Sequence, residues 1–178
     1  MTWRTHTLFG VSSLWLLTSF TNPSDLSNFA VLVACAVSGS LLPDLDAAES
    51  KIKHFSVGGI QAFAPLSNEI HQRLGHRGFL HSLLGSGLVG LLALPLLPVL
   101  GWSAWAAFLL GYLSHLVADG CTRSGVPLLH PRLIRYYLLP SWLRITTGSL
   151  AEEMLLPFLA IPVFLLLLSH LSVTEIMR

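Results

Sequence analysis

Charged residues are scarce in this chain: Asp, Glu, Lys and Arg make up 11% of its 178 residues, whereas apolar residues make up 53%. Ordinary soluble domains carry roughly 25% charged residues, which cover their water-facing surface. The low value argues against a soluble globule and predicts that much of the exterior faces lipid. The formal net charge is only +1, so the composition gives no indication of a nucleic-acid partner.

Cysteine is also rare. Cys35 and Cys121 stand far apart and belong to no CxxC pair, which argues against a disulfide framework and against a thiolate metal site. Internal repeats and low-complexity tracts are lacking, so we expect residues 1–178 to form a single membrane-embedded domain. Residues 1–20 lack a clear A-x-A-like cleavage site, and we therefore do not expect them to be a cleaved signal peptide.

Long apolar runs are present instead, in five segments at 7–20, 29–43, 79–100, 102–118 and 154–171. A helix needs about 20 apolar residues to cross the hydrocarbon core. The last three segments reach or approach that length, and the first two fit tilted, interfacial or protein-buried helices. The predicted fold is all-α: a polytopic membrane helical bundle of about five transmembrane or membrane-buried helices.

The basic residues predict the orientation of this bundle. If all five segments cross, nine of the ten Lys and Arg residues share one side, and Arg178 alone lies opposite. The positive-inside rule makes that side cytoplasmic. We therefore expect a multi-pass membrane protein with its N-terminus in the cytoplasm.

Histidines and carboxylates also gather on this predicted cytoplasmic side. They stand at the ends of successive apolar segments, where alternate helix ends must meet; they are His6, Asp44, Asp46, His76, His81, His115, Asp119, Glu152 and Glu153. His115 and Asp119 are four residues apart, so they project from one helical face. Ionisable groups at membrane depth are costly and indicate function.

Imidazole and carboxylate donors together suit zinc, with manganese and iron as alternatives. The candidates exceed the four ligands of one closed site. The sequence therefore predicts two or more ions, or else donors that orient ligands or act as a general base. Glu152 and Glu153 have a simpler alternative, since acids are favourable at a helix N-terminus. Residues 131–145 mix basic, aromatic and aliphatic side chains, which fits a headgroup-level segment that either contacts a lipid substrate or only anchors the protein.

The motifs resemble a known family. Thr5-His6, the Leu-Pro-Asp-Leu-Asp run that ends at Asp46, the His-Arg-Gly-Phe-Leu-His-Ser run of 76–82, and 111–127 with His115 and Asp119 look like the YdjM-like family of inner-membrane, metal-dependent hydrolases. That family is more remotely similar to the zinc-dependent phospholipase C and P1 nuclease group. The resemblance implies a polynuclear zinc site and a phosphoester substrate. It implies the following ligands: His6, Asp44, His76, His81, His115 and Asp119. Asp46 and Glu153 remain as candidate catalytic residues.

Two functions are therefore expected from the sequence. The first is a metal-dependent hydrolase of a phosphoester, with phospholipid among the candidate substrates, that acts from the cytoplasmic leaflet. The second is a non-enzymatic membrane protein whose His and Asp cluster binds metal or is structural. Transporters place ionisable groups near the bilayer midplane at broken helices, whereas these stand at helix ends, which disfavours transport.

Overall fold

The computed structural model describes residues 1–18, 29–46, 78–132 and 134–176. The first half contributes three helices and a 3₁₀ turn: α1 (Trp3–Ser12), α2 (Leu14–Thr18), α3 (Phe29–Leu41) and the turn Leu42–Asp46. The second half contributes the turn Phe79–His81, α4 (Leu83–Leu92), the turn Leu94–Leu96, α5 (Leu97–Gly120) and α6 (Leu150–Ile176). The all-α prediction is confirmed, because the described part contains helices and only two isolated bridges.

Helices α4 and α5 form an antiparallel hairpin rather than one straight helix. Near its start, α5 is also kinked at Gly101, whose φ of 81° and ψ of 164° lie outside the helical region. Glycine adopts such angles without strain. Beyond this kink, the Trp105 indole donates a hydrogen bond to the Gly90 carbonyl at 2.9 Å. The hairpin brings the start of α4 beside the end of α5, as the alternating topology predicted.

Two apolar helical stretches in the described part are long enough to cross a membrane, Leu83–Gly120, which contains the hairpin, and Leu150–His170. This is fewer than the five predicted. Helices do occupy all five apolar segments, but α4 has only ten residues and rises about 15 Å, half of the roughly 30 Å hydrocarbon core. The expectation failed because the apolar run 79–100 does not reveal that α4 ends at Leu92, ahead of the turn Leu94–Leu96 that contains Pro95.

Two glycines allow α3 and α5 to cross in close contact. A Cβ atom at Gly39 would overlap the Phe108 carbonyl, and one at Gly111 would overlap the Ala36 carbonyl. Small residues at such crossings let helix backbones approach closely, which is how helices associate in lipid. This crossing places the turn that follows α3 next to the face of α5 that carries His115.

The apolar exterior agrees with a membrane environment. The core lies between α1, α2, α3, α5 and α6, where side chains such as Leu14, Ala36 and Leu166 are almost fully buried. Large apolar side chains on the outside remain exposed, among them Leu92 at 70% and Val99 at 80%. Exposed apolar surface of this extent is unfavourable in water, so it indicates contact with lipid.

Candidate metal centre

Five of the predicted donors come from four separate elements and meet at one end of the bundle. They are His6 of α1, Asp44 of the turn after α3, His81 of the turn before α4, and His115 and Asp119 of α5. Their ligand atoms form two triads, His6 with His115 and Asp119, and Asp44 with His81 and His115. Within each triad these atoms lie within 4.8 Å of one another. The two triads share His115.

All three imidazoles turn their Nε2 atoms toward the carboxylates. In the first triad, His6 Nε2 lies 3.5 Å from Asp119 Oδ1, and His115 Nε2 lies 4.0 Å from Asp119 Oδ2. In the second, His81 Nε2 lies 3.6 Å and His115 Nε2 lies 3.7 Å from Asp44 Oδ1. The Nε2 atoms of His81 and His115 are 3.2 Å apart. The donors therefore surround a small common volume.

These separations could accommodate a metal ion. Zinc–nitrogen bonds of about 2.0–2.1 Å in a tetrahedron place donors about 3.3 Å apart, close to the observed range of 3.2–4.0 Å. Both nitrogens of His6 are buried and lack a hydrogen-bond partner among the described residues. Buried polar atoms are nearly always satisfied, so a bound cation would explain the orientation of this ring.

The backbone sets the orientation of His115. Its Nδ1 lies 2.7 Å from the Ser40 carbonyl, and a carbonyl can only accept, so Nδ1 carries the proton. A ring that carries only this proton presents its Nε2 lone pair to the space between the donors, where a metal ion would bind it. Nearby, the buried Tyr112 hydroxyl donates to the Leu80 carbonyl, and this bond holds the turn that carries His81.

Burial and charge set the protonation states of two candidate ligands outside both candidate spans, His6 and Asp44. Burial lowers the pKa of the His6 ring well below its usual value, and the adjacent His115 lowers it further, so His6 is neutral and its lone pair is available. Burial raises the pKa of the Asp44 carboxyl, but the His81, His115 and His6 rings outweigh this, and the pKa falls below its usual value. Asp44 is therefore an anion. Both groups are in the form that binds metal.

The cluster opens at Asp44. The side chains of His6, His81, His115 and Asp119 are at most 1% exposed, whereas that of Asp44 is 24% exposed. A molecule from outside would therefore meet the Asp44 carboxylate first. The arrangement combines buried donors with one accessible donor.

Comparison with known proteins agrees with the motifs. Residues 1–176 match the family described as YdjM inner membrane protein. The chain belongs to this family. Among its relatives, the Bacillus subtilis (strain 168) protein YvsG is 30% identical over 156 residues, 88% of each chain. The inner membrane protein YdjM of Escherichia coli (strain K12) is 40% identical over 110 residues, which cover 60% of this chain and 53% of that one. No solved structure matches.

The YdjM match supports the membrane setting of this cluster, and the remaining predicted residues can be placed against it. His76 lies outside the described residues, as does the side chain of Asp46, whose backbone belongs to the turn after α3. Glu153 is exposed on α6 and belongs to neither triad. The likeness to phospholipase C and P1 nuclease stays a prediction, and so do the catalytic roles of Asp46 and Glu153.

Glu152, one residue before Glu153, is a further buried acid at this end of the bundle. Its Oε1 accepts hydrogen bonds from the Thr2 amide and, at 2.6 Å, from the Thr5 hydroxyl. Its Oε2 accepts from the Gly148 amide at 2.7 Å. Because Thr2 and Thr5 flank the start of α1, this carboxylate ties the helix that carries His6 to the start of α6.

Replacing Glu152 with glutamine should loosen α1 and weaken metal binding. The amide introduces a donor where three donors converge, so we expect a loss of about 1–3 kcal/mol in unfolding free energy and roughly tenfold in metal affinity. Thermal unfolding and metal titration of the purified protein measure both. The matched control is Glu153→Gln, which removes the same charge from an exposed site. Equal effects from the two variants would contradict the anchoring role.

Two supporting residues were missed from the sequence, Ser40 and Tyr112, whereas Glu152 was named there together with Glu153. Ser40 acts through its backbone carbonyl, which leaves no trace in the residue type. Tyr112 is a polar aromatic residue in an apolar helix, three positions before His115, and that combination is a usable signal because a buried phenol requires an acceptor.

Proposed function

We propose that this inner-membrane protein is a divalent-metal-dependent hydrolase of phosphoesters, with zinc as the metal. The observation that carries the proposal is the pair of donor triads that share His115 and open at Asp44. The domain extends over residues 1–178, and the cluster faces the cytoplasm, as the distribution of Lys and Arg predicts. The substrate approaches from that side.

The composition of each triad favours catalysis over a structural role. Structural zinc sites are closed by four protein ligands, whereas catalytic sites use three and leave a position for water or substrate. Each triad supplies two imidazoles and one carboxylate. Because His115 Nε2 has one lone pair, the described donors complete one three-ligand site at a time. The partly exposed Asp44 lies where the open position would be reached.

The roles of the chain's own residues follow from this geometry. His6, His115 and Asp119 are buried and hold the cation, and Ser40 fixes the His115 ring. A divalent cation supplies a Lewis acid that polarises a phosphoryl oxygen and lowers the pKa of a water to about 7. When the first triad holds the cation, Asp44 is not a ligand. It remains an accessible carboxylate that is able to accept a proton from a nucleophilic water.

The phosphoester substrate rests on the resemblance of the motifs to the phospholipase C and P1 nuclease group, so it is tested apart from the metal. Chelator-stripped protein in detergent should be inactive and recover bis(p-nitrophenyl) phosphate hydrolysis with Zn²⁺ or Mn²⁺. We expect Asp44→Asn to fold and to lower the rate by more than about a hundredfold, since it removes the proton acceptor. Asp46→Asn and Glu153→Gln should lose rate with metal content unchanged if those acids are catalytic.

A matched control keeps the test specific. His130→Ala removes a histidine that belongs to neither triad and should leave both metal content and rate unchanged. Tight metal binding without hydrolysis of phosphodiester, phosphomonoester or carboxylester substrates would overturn the proposal and favour the non-enzymatic metal-binding function.

A further inference from the structure

A folded segment connects the two candidate membrane spans at the end of the bundle that holds the metal cluster. Residues 121–149, here called the connecting cap, begin after Gly120 of α5 and end before Leu150 of α6. Bridges pair Thr122 with Ile145 and Val126 with Tyr136, and the Leu138 amide donates to the Gly120 carbonyl at 2.8 Å. Because it joins the ends of two spans, the cap lies at the boundary of the bilayer.

The connecting cap has positive charge without internal compensation. It contains Arg123, Arg132, Arg135 and Arg144, and no Asp or Glu occurs between Asp119 and Glu152. The first three arginines are exposed. Among the described residues no carboxylate forms a salt bridge with any of the four. The cap therefore offers guanidinium groups to an external anion.

Aromatic and aliphatic side chains accompany these arginines. Trp142 is 78% exposed, and Ile134, Leu138 and Leu143 are exposed as well. The Arg144 guanidinium lies 3.6 Å from the centre of the Tyr137 ring, a cation–π contact that holds it in place. A soluble anion would leave the apolar side chains exposed to water, whereas a lipid surface accommodates them below its headgroups.

We propose that the connecting cap binds the headgroups of anionic phospholipids, with its arginines at the phosphates and Trp142 with its aliphatic neighbours between the acyl chains. The charge of the cap is complementary to such a surface, and juxtamembrane Lys or Arg residues each contribute roughly fivefold in affinity to it. This binding does not depend on hydrolysis by the metal cluster. It concentrates anionic lipid beside Asp119, the last donor before the cap.

Lipid selectivity in nanodiscs tests the inference. The full chain is placed in phosphatidylcholine discs that contain phosphatidylglycerol, and spin-labelled analogues of both lipids report which one associates with the protein. The wild type should prefer phosphatidylglycerol by at least the roughly fivefold that one arginine contributes. The variant Arg123→Gln/Arg132→Gln/Arg135→Gln should lose most of this preference, because Arg144 is the one arginine left in the cap.

Two controls make the result decisive. The triple Arg→Lys variant keeps the charge but loses the Arg135 hydrogen bond to the Ser124 carbonyl, so retained selectivity there shows that charge acts rather than cap folding. Arg4→Gln removes one exposed arginine outside the cap and should lower the preference far less than the triple glutamine variant does. Undiminished phosphatidylglycerol preference in the triple glutamine variant would overturn the inference, as would its full suppression by free glycerol phosphate, which would make the ligand a soluble anion.

Discussion

The variant His115→Ala is expected to lose specific metal binding altogether. His115 donates to both triads, so its removal leaves neither with three ligands. Loss of one ligand from a three-ligand site lowers affinity by far more than the 10–100-fold typical of outer residues. Elemental analysis of the purified protein, together with a zinc titration monitored by calorimetry, measures the change.

Single-triad variants provide the contrast. His6→Ala leaves Asp44, His81 and His115 intact, and His81→Ala leaves the triad that contains His6. Each should therefore keep one metal-binding set, with reduced affinity. If the His115→Ala variant bound zinc as tightly as the His6→Ala variant, the role of His115 as a ligand shared by both triads would be refuted.

The variant Gly111→Ala is expected to destabilise the protein severely. Its methyl group would overlap the Ala36 carbonyl, which belongs to the backbone and cannot rotate away. Overpacking of flexible cores costs about 1–3 kcal/mol, and a collision with backbone should exceed that range. Unfolding in a denaturing detergent series, followed by the midpoint of lost helicity, gives the size of the effect.

Gly87→Ala is the matched substitution. Gly87 lies in helix α4, and a Cβ atom there meets nothing within 4 Å. In a helix interior, alanine is more stabilising than glycine by about 0.5–1 kcal/mol. The Gly87→Ala variant should therefore be as stable as the wild type or slightly more stable. A Gly111→Ala protein with an unchanged midpoint would show that α3 and α5 do not need the close crossing.

Convergence of the donors was predictable because it follows from chain direction alone. Each successive apolar segment reverses direction, so His6, Asp44, His81 and His115 at alternate ends must share one side. The structure brings these four together with Asp119. The number of spans was not predictable, since hydropathy reports the polarity of a run and not the end of α4 at Leu92, halfway along the apolar run 79–100.

The choice between Glu152 and Glu153 also lay beyond the sequence. Adjacent residues differ by about 100° around a helix, and in a soluble protein the polar face would show which one points inward. In α6 the surrounding residues are apolar on every side, because lipid and protein interior are equally apolar. The rotation of such a helix is set by packing, which here buries Glu152 beside Thr5.

The distribution of the candidate donors over α1, the turn after α3, the turn before α4, and α5 has a consequence for biogenesis. Both triads include His115, so a chain that has inserted only as far as residue 92 offers no complete set of ligands. A metal held by these triads would therefore load only after the hairpin has closed, and it would then join elements that were synthesised far apart in time. Because metal binding stabilises only the assembled state, occupancy would mark the molecules whose insertion is finished.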